Sequence, residues 1–350
     1  MSVFDNMPDV GKKKGKIQQP PQRNRTSVLL AALAGLVLLL LCLALAAVGA
    51  WYLALGPGAA LQKAGVAVPP GSAPTTPGAS SAASTQGIKI AFSVYTGDSP
   101  EGHSIWIMNA DGSDAKQLIR VASSPAFSPD GKLIAYYHWT DGIYVANADG
   151  TGAHKILGET NAKYLAWSHD GKWIAFASKP NANKDIGNIN LDAVLVDGSR
   201  RRTIVVGGSM PSWSPNDQQI AFADCRGSDC GILRAGSLGG DEGTLIVKEL
   251  GTDPAWSPDG NKIVYQADVD SIKQLFVVNI DGTGKKQLTR GTAPHVDAAW
   301  SPDGSTIFYR SPQSGDWGIW KMNADGSGQV KIIGNVEPVD WAYERLAVTR

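Results

Sequence analysis

From residue 88 to the C-terminus, short apolar runs alternate with polar, glycine-bearing turns, and the alternation repeats. The apolar triplets Ile134-Ala-Tyr136, Ile174-Ala-Phe176, Ile220-Ala-Phe222, Ile263-Val-Tyr265 and Ile307-Phe-Tyr309 each follow a turn phrase led by an aromatic residue. The phrases are Phe127-Ser-Pro-Asp-Gly131, Trp167-Ser-His-Asp-Gly171, Trp213-Ser-Pro-Asn-Asp217, Trp256-Ser-Pro-Asp-Gly260 and Trp300-Ser-Pro-Asp-Gly304. They lie 40 to 46 residues apart, and a decayed sixth copy begins at Trp341. β-branched and aromatic runs bounded by Gly, Pro and Asp read as strands. Within the phrase, Pro presets φ, the Ser and Asp side chains bond nearby backbone, and Gly closes a type I turn. The aromatic therefore ends one strand and the triplet opens its antiparallel partner.

A third strand follows and runs into an Asn-x-Asp-Gly turn, as in Ile105 to Gly112, Ile143 to Gly150, Leu275 to Gly282 and Ile319 to Gly326. Asp-Gly between strand-like runs is a hairpin signal. A short fourth strand closes each unit: Lys116 to Ile119, His154 to Leu157, Lys286 to Leu288 and Lys331 to Ile333. Four antiparallel strands per repeat of this length is a propeller blade, which must stack on neighbours to bury its apolar faces. The predicted fold is all-β: a six-bladed β-propeller of four-stranded antiparallel blades over residues 87–350.

The first unit begins at its second strand, Ile88 to Phe92. Its innermost strand is expected from the C-terminus, supplied by Val339 to Tyr343. Arg345 to Thr349 then competes with Ile88 to Phe92 for one second-strand place, so one of the two should lie outside the ring or pair partly. Two irregularities stand out: an insertion, Lys179 to Asn190, in the third blade, and Gly236 to Gly243 in place of Asn-x-Asp-Gly in the fourth. Irregular loops carry function more often than regular turns do.

These repeats resemble the TolB family propeller, a WD40-like repeat type with the same Trp-Ser-Pro-Asp-Gly, Ile-Ala-Phe and Asp-Gly elements. The likeness covers roughly three quarters of the chain. The repeat type also occurs in propellers attached to prolyl-oligopeptidase-like peptidases and in some sugar lyases, so it implies a fold and not an activity. TolB family members carry an N-terminal α/β domain, where this chain shows an apolar span and a linker.

Residues 27–55 are charge-free and apolar, long enough to cross a bilayer core of roughly 30 Å as a helix. Six Lys or Arg precede the span, from Lys12 to Arg25, and the first charge after it is Lys63. That asymmetry places residues 1–26 in the cytoplasm as a basic tail and the C-terminus outside, in a single-pass cell-membrane protein. A cleaved signal peptide ending near Ala50 is the competing reading, against which the length of the run argues. Residues 56–86, rich in Ala, Gly, Ser, Pro and Thr, read as a tether.

The 32 basic and 32 acidic residues of the whole chain cancel. Removing the 7 and 2 in residues 1–86 leaves 25 against 30, about −5, on the propeller. An acidic ectodomain argues against nucleic acid as a partner. Of three cysteines, Cys225 and Cys230 flank a predicted hairpin loop and are candidates for a local disulfide.

No motif among the remaining candidates assembles chemistry. Asn109, Asp111 and Asp114 lack the distal bidentate Glu of a calcium loop, and the hairpin turn explains them. The five histidines show no metal-ligand spacing, so neither metal nor cofactor is expected. Gly236-Ser-Leu-Gly239 lacks the first glycine of a nucleophile elbow. His169 replaces the turn proline of its repeat, and Arg200-Arg201-Arg202 reads as a solvated turn.

In a propeller, the loops leading into the innermost strands and those joining second to third strands share one face. That face is expected to hold the candidate binding residues His103, Trp139, Asn161, Tyr164, Asp253, His295, Asp297, Trp317 and Glu337, with the 179–190 loop. The sequence therefore predicts a membrane-anchored, non-enzymatic platform for an envelope protein or peptide, with small molecules or glycans as secondary candidates. One rival is a propeller lyase or hydrolase built on His295 and nearby acids. Another is a ligand-sensing ectodomain.

Overall fold

The computed structural model describes residues 87–95, 102–160, 162–178, 189–226, 229–336 and 345–349. The predicted tail, membrane span and tether lie outside the described residues, as do residues 339–343, Asn161, Glu337 and the 179–188 part of the insertion. No helix among the described residues is long and apolar enough to cross a membrane.

Twenty-four strands form six four-stranded sheets among the described residues. The first blade contains β1 (Lys89–Tyr95), β2 (His103–Asn109) and β3 (Lys116–Arg120). The second contains β4 (Ala122–Phe127), β5 (Leu133–His138), β6 (Gly142–Asn147) and β7 (His154–Leu157). The third contains β8 (Lys163–Trp167), β9 (Trp173–Ser178), β10 (Asn190–Leu195) and β11 (Arg201–Val206). The fourth contains β12 (Ser209–Trp213), β13 (Gln219–Arg226), β14 (Asp229–Gly236) and β15 (Thr244–Lys248). The fifth contains β16 (Thr252–Trp256), β17 (Lys262–Val269), β18 (Ile272–Asn279) and β19 (Lys286–Gln287). The sixth contains β20 (Val296–Trp300), β21 (Thr306–Ser311), β22 (Gly318–Asn323) and β23 (Val330–Gly334). The last strand, β24 (Ala347–Val348), completes the first blade in the order β24-β1-β2-β3. The fold is a six-bladed propeller of antiparallel blades.

Closure differs from the sequence expectation in its residues. Val348 pairs with Ile90 and Ala347 with Ala91. The Thr349 amide donates to the Lys89 carbonyl at 3.0 Å, and the Lys89 amide to Thr349 Oγ1 at 2.9 Å. The closing inner strand is therefore 347–348 rather than 339–343. The run 345–349 does not compete with 88–92 but pairs with it. Both stretches are apolar and β-branched, and only their partnership buries both.

The turn phrase works as its composition suggests. In the second blade, Ser128 Oγ donates to Asp130 Oδ1 and accepts from the Leu133 amide, while the Gly131 amide donates to the Ser128 carbonyl. The same bonds recur at Ser168, Ser214, Ser257 and Ser301. Two departures from the repeat compensate each other. His169 stands where proline would be and so has an amide hydrogen to satisfy. Asp217 stands where glycine would be, at φ 57°. Its carboxylate accepts from the His169 amide at 2.7 Å and the Asp170 amide at 2.6 Å, and lies 3.2 Å from His169 Nδ1. This ties the third blade to the fourth.

The core is distributed between blades rather than gathered inside one. Each of six apolar clusters joins residues of neighbouring sheets, such as Ile156 and Tyr137 with Trp167 and Phe176 between the second and third blades. The phrase tryptophans are part of this packing. Trp213 Nε1 donates to the Ala166 carbonyl and Trp300 Nε1 to the Ala255 carbonyl, each in the preceding blade. A buried indole of this kind costs about 3–5 kcal/mol to truncate.

Candidate functional site

The innermost strands define the axis. Five of them carry a register irregularity near their start. At that point Ser124, Tyr164, Met210, Asp253 and Asp297 adopt φ between 51° and 58°. Each lies three residues before the aromatic of its phrase, so the repeat builds a bulge that turns one residue out of the pleat. Left-handed backbone at a non-glycine residue costs about 1–3 kcal/mol and persists where packing over-determines it. Counting three back from Val348, which pairs with Ile90 as Trp256 pairs with Ile263, gives Arg345 as the first blade's equivalent.

Arg345 crosses the axis. Its Nε donates to Asp253 Oδ1 at 2.6 Å, its Nη2 to the carbonyls of Met210 and Pro254 at 3.0 and 3.1 Å, and its Nη1 to the Pro211 carbonyl. Those acceptors belong to the fourth and fifth blades, across the ring from the first. Burial pushes the Asp253 carboxyl up, and the Arg345 guanidinium opposes that shift. Arg345 also lines a cavity of about 230 Å³. One position before each aromatic or its equivalent, Ala126, Ala166, Ser212, Ala255, Ala299 and Ala347 line the cavity with small side chains. The cavity runs toward the turn phrases, reaching His169, Pro258 and Pro302.

A second buried pair lies beside the first. Arg310 Nε is 3.3 Å from Asp297 Oδ2, with side chains 0% and 1% exposed. Arg310 Nη2 donates to the Ser93 carbonyl at 2.8 Å, and the Asp297 amide donates to Gln266 Oε1 at 3.1 Å. The cluster thereby spans the fifth, sixth and first blades. His295 shares a 2.8 Å hydrogen bond with Gln313 Oε1. Burial pushes its pKa down, partly offset by the Gln313 bond.

The candidate binding residues that are described do not converge on one centre. Among the described residues, His103, Trp139, Tyr164, Asp253, His295, Asp297 and Trp317 do not line the axial cavity. His103 and Trp139 meet between the first and second blades, with ring centroids 4.1 Å apart, and Tyr95 packs on the other side of His103 at 4.7 Å. His103 is 7% exposed, and neither of its ring nitrogens has a hydrogen-bond partner among the described residues. Burial lowers its pKa to about 4. Tyr164 joins the apolar cluster between the fourth and fifth blades. Trp317 precedes β22, where its carbonyl accepts from the Val336 amide.

The other residues noted in the sequence follow their reading more closely. Arg201 bridges Asp192 and Glu159 at 2.5 and 3.0 Å and lies over Phe176, while Arg202 lies 4.2 Å from the Trp173 ring centroid. Arg200 and Arg201 are exposed, as a solvated turn requires, although Arg201 also bridges two carboxylates and Arg202 packs on Trp173. Asp111 accepts from the Ser113 amide and hydroxyl, as the hairpin reading requires. Cys225 and Cys230 face each other across β13 and β14 with their sulfurs bonded. Arg345 and Arg310 were not anticipated. The spacing from the aromatic would have found Arg345 only had 345–349 been read as an inner strand.

The family model described as TolB beta propeller domain matches residues 189–338. The propeller is TolB-like. A protein named Protein TolB homolog from Protochlamydia amoebophila is 28% identical over 211 residues, covering 53% of this chain and 45% of that protein. A Tol-Pal system protein TolB from Francisella tularensis is 24% identical over 207 residues, covering 57% of this chain and 48% of its own length. The chain therefore spans about half the length of these relatives. Among solved structures, TolB from Acinetobacter baumannii superposes with a TM-score of 0.63 at 19% identity, over 75% of this chain and 66% of that one. A putative TolB from Agrobacterium tumefaciens gives 0.58 at 17% identity, over 70% and 89%. These structural likenesses concern the fold.

Proposed function

We propose that this TolB-like propeller is a non-enzymatic binding platform for a protein or peptide of the cell envelope, displayed outside the cytoplasm on a membrane anchor at residues 27–55. One observation carries the reading. The polar side chains that a channel-mouth enzyme would use are tied into internal pairs: Asp253 with Arg345, Asp297 with Arg310 and His295 with Gln313. Buried ions held this way are scaffold, and releasing either partner is costly.

The surface left for recognition is the rim of loops leading into the inner strands. Lys89, at the start of β1, pairs with Asn109 at the opposite, hairpin-turn face. The name Tol-Pal system protein carried by relatives supports an envelope partner. Photo-crosslinking in cells tests this. Probes at Trp317 and Leu250 on the rim should trap an envelope protein that probes at Lys132 and Ser305 on the turn face do not. Metal analysis of the same purified chain separates the enzyme reading. A stoichiometric divalent ion coupled to hydrolysis or elimination of a glycan would replace the platform with a catalyst.

A further inference from the structure

The three consecutive arginines of the third blade divide between two faces of its sheet. Arg201 lies over Phe176 and bridges Asp192 with Glu159, which neutralise it. Arg202 lies over Trp173, whose face packs toward the fourth blade. Arg200, two positions earlier, falls on the same side as Arg202 in extended backbone. Neither Arg200 nor Arg202 forms an ion pair among the described residues.

The carboxylates nearby are already engaged. Asp170 accepts from Ser168 Oγ and from the Lys172 amide, and lies 3.4 Å from Lys172 Nζ. Asp197, on the turn just before Arg200, accepts from the Ser199 amide. With Arg201 neutralised by its own partners, Lys172, Arg200 and Arg202 stand against Asp170 and Asp197 on these two turns. The balance is locally positive on a propeller that is acidic as a whole.

Arg202 is half-buried, and its Nε has no hydrogen-bond partner among the described residues. Burial pushes its pKa down, the charge of Arg200 pushes it down further, and Asp170 opposes both. Arg202 thus holds its charge against desolvation and a like charge, a cost that a facing anion would offset. The guanidinium is also held in place, 4.2 Å from the Trp173 ring centroid, so less side-chain freedom remains to be lost on binding.

We propose that Arg200 and Arg202, on the Trp173 side of the third blade, form a binding site for a phosphate group. Two guanidinium groups match a dianion, where a carboxylate carries a single charge, and phosphate oxygens suit the planar fork of arginine. The site adjoins the Asp197-Gly198 turn, away from the rim, and does not depend on the platform reading. A soluble phosphate ester and a phospholipid headgroup share this chemistry, and the experiment separates them.

The test is phosphorus NMR titration of the full-length chain in neutral detergent, with inorganic phosphate and dihexanoyl phosphatidic acid as probes. Phosphate should bind saturably, and acetate at equal ionic strength should compete poorly. Arg200→Gln with Arg202→Gln should weaken phosphate binding at least about tenfold. Arg202→Lys, which keeps the charge and loses the planar stack, should weaken it several-fold. Lys262→Gln, at an exposed position on the turn face of the fifth blade, should leave it unchanged. Tighter binding of the phosphatidic acid than of inorganic phosphate supports the site with a lipid headgroup as its ligand. Equal or weaker binding supports it with a soluble ester. Absence of saturable binding, equal competition by acetate, or binding indifferent to both arginines would overturn it.

Discussion

Replacing Arg345 with methionine removes a side chain that reaches from the first blade across the axis to the fourth and fifth. Four hydrogen bonds disappear: one to the Asp253 carboxylate and three to the carbonyls of Met210, Pro211 and Pro254. The Asp253 side chain is 5% exposed and loses its counter-ion. Stranding a buried charge costs about 3–5 kcal/mol, and three carbonyls left without their donor push toward the upper end. For a domain of this size the loss corresponds to a fall in melting temperature of roughly 10 °C. Urea unfolding followed by tryptophan fluorescence measures it. The decisive comparison is a double-mutant cycle with Asp253→Asn, whose uncharged amide no longer needs the guanidinium. The double variant should lose at least about 2 kcal/mol less than the sum of the single losses, the size expected for a charge-assisted contact at this burial. A loss below about 1 kcal/mol for Arg345→Met, or additivity within about 0.5 kcal/mol, would refute the clamp.

Two further outcomes follow from the same physics. His103 prefers the neutral state when folded, with its pKa lowered to about 4 against 6.5 unfolded, so the unfolded chain binds the extra proton between those values. Its contribution is intact above about pH 6.5, falls through the window and is lost by pH 4. Unfolding should therefore show about 3 kcal/mol more acid destabilisation in the unaltered chain than in His103→Phe, and superimposable pH profiles would contradict this. Asp217→Gly alone strands the His169 and Asp170 amides and should cost about 1–2 kcal/mol, whereas His169→Pro with Asp217→Gly restores the repeat and should recover most of it. Equal losses in single and double variants, compared by thermal denaturation, would show that the two residues are uncoupled.

The blades were legible because their chemistry is local. Ser128, Asp130 and Gly131 form a turn that depends on few distant residues, and the alternation around Ile134 states which strand face is buried. Closure was harder to read. Trp341 keeps the aromatic that marks an inner strand elsewhere, while Val348, the residue that fills that place, keeps only the apolar character. Pairing with Ile90 some 260 positions earlier is a tertiary fact without a local signature. The candidate site was read least well for the same reason. His295, Asp253 and Asp297 were read as lying on loops that lead into inner strands, whereas Asp253 and Asp297 stand inside β16 and β20, and a spacing rule within one repeat does not reveal Arg310 or Arg345. The longer hairpins of the fourth and fifth blades depend on two extra residue pairs each. Those pairs are visible in the sequence only as slightly longer runs before Asp229 and Ile272.

The assignment of faces depends on a ring closed by residues 345–349 lying against β1. Cysteines introduced at Ala91 and Ala347, cross-strand partners in the closing blade, test this directly, because such partners sit about 4.5–5.5 Å apart and disulfides form at that separation. Oxidation of the Ala91→Cys, Ala347→Cys chain should give a 91–347 disulfide in the mass-spectrometric digest map. A chain that forms no such bond, but does cross-link when Ala91→Cys is combined with Trp341→Cys, would place a different strand at the closure and contradict the account.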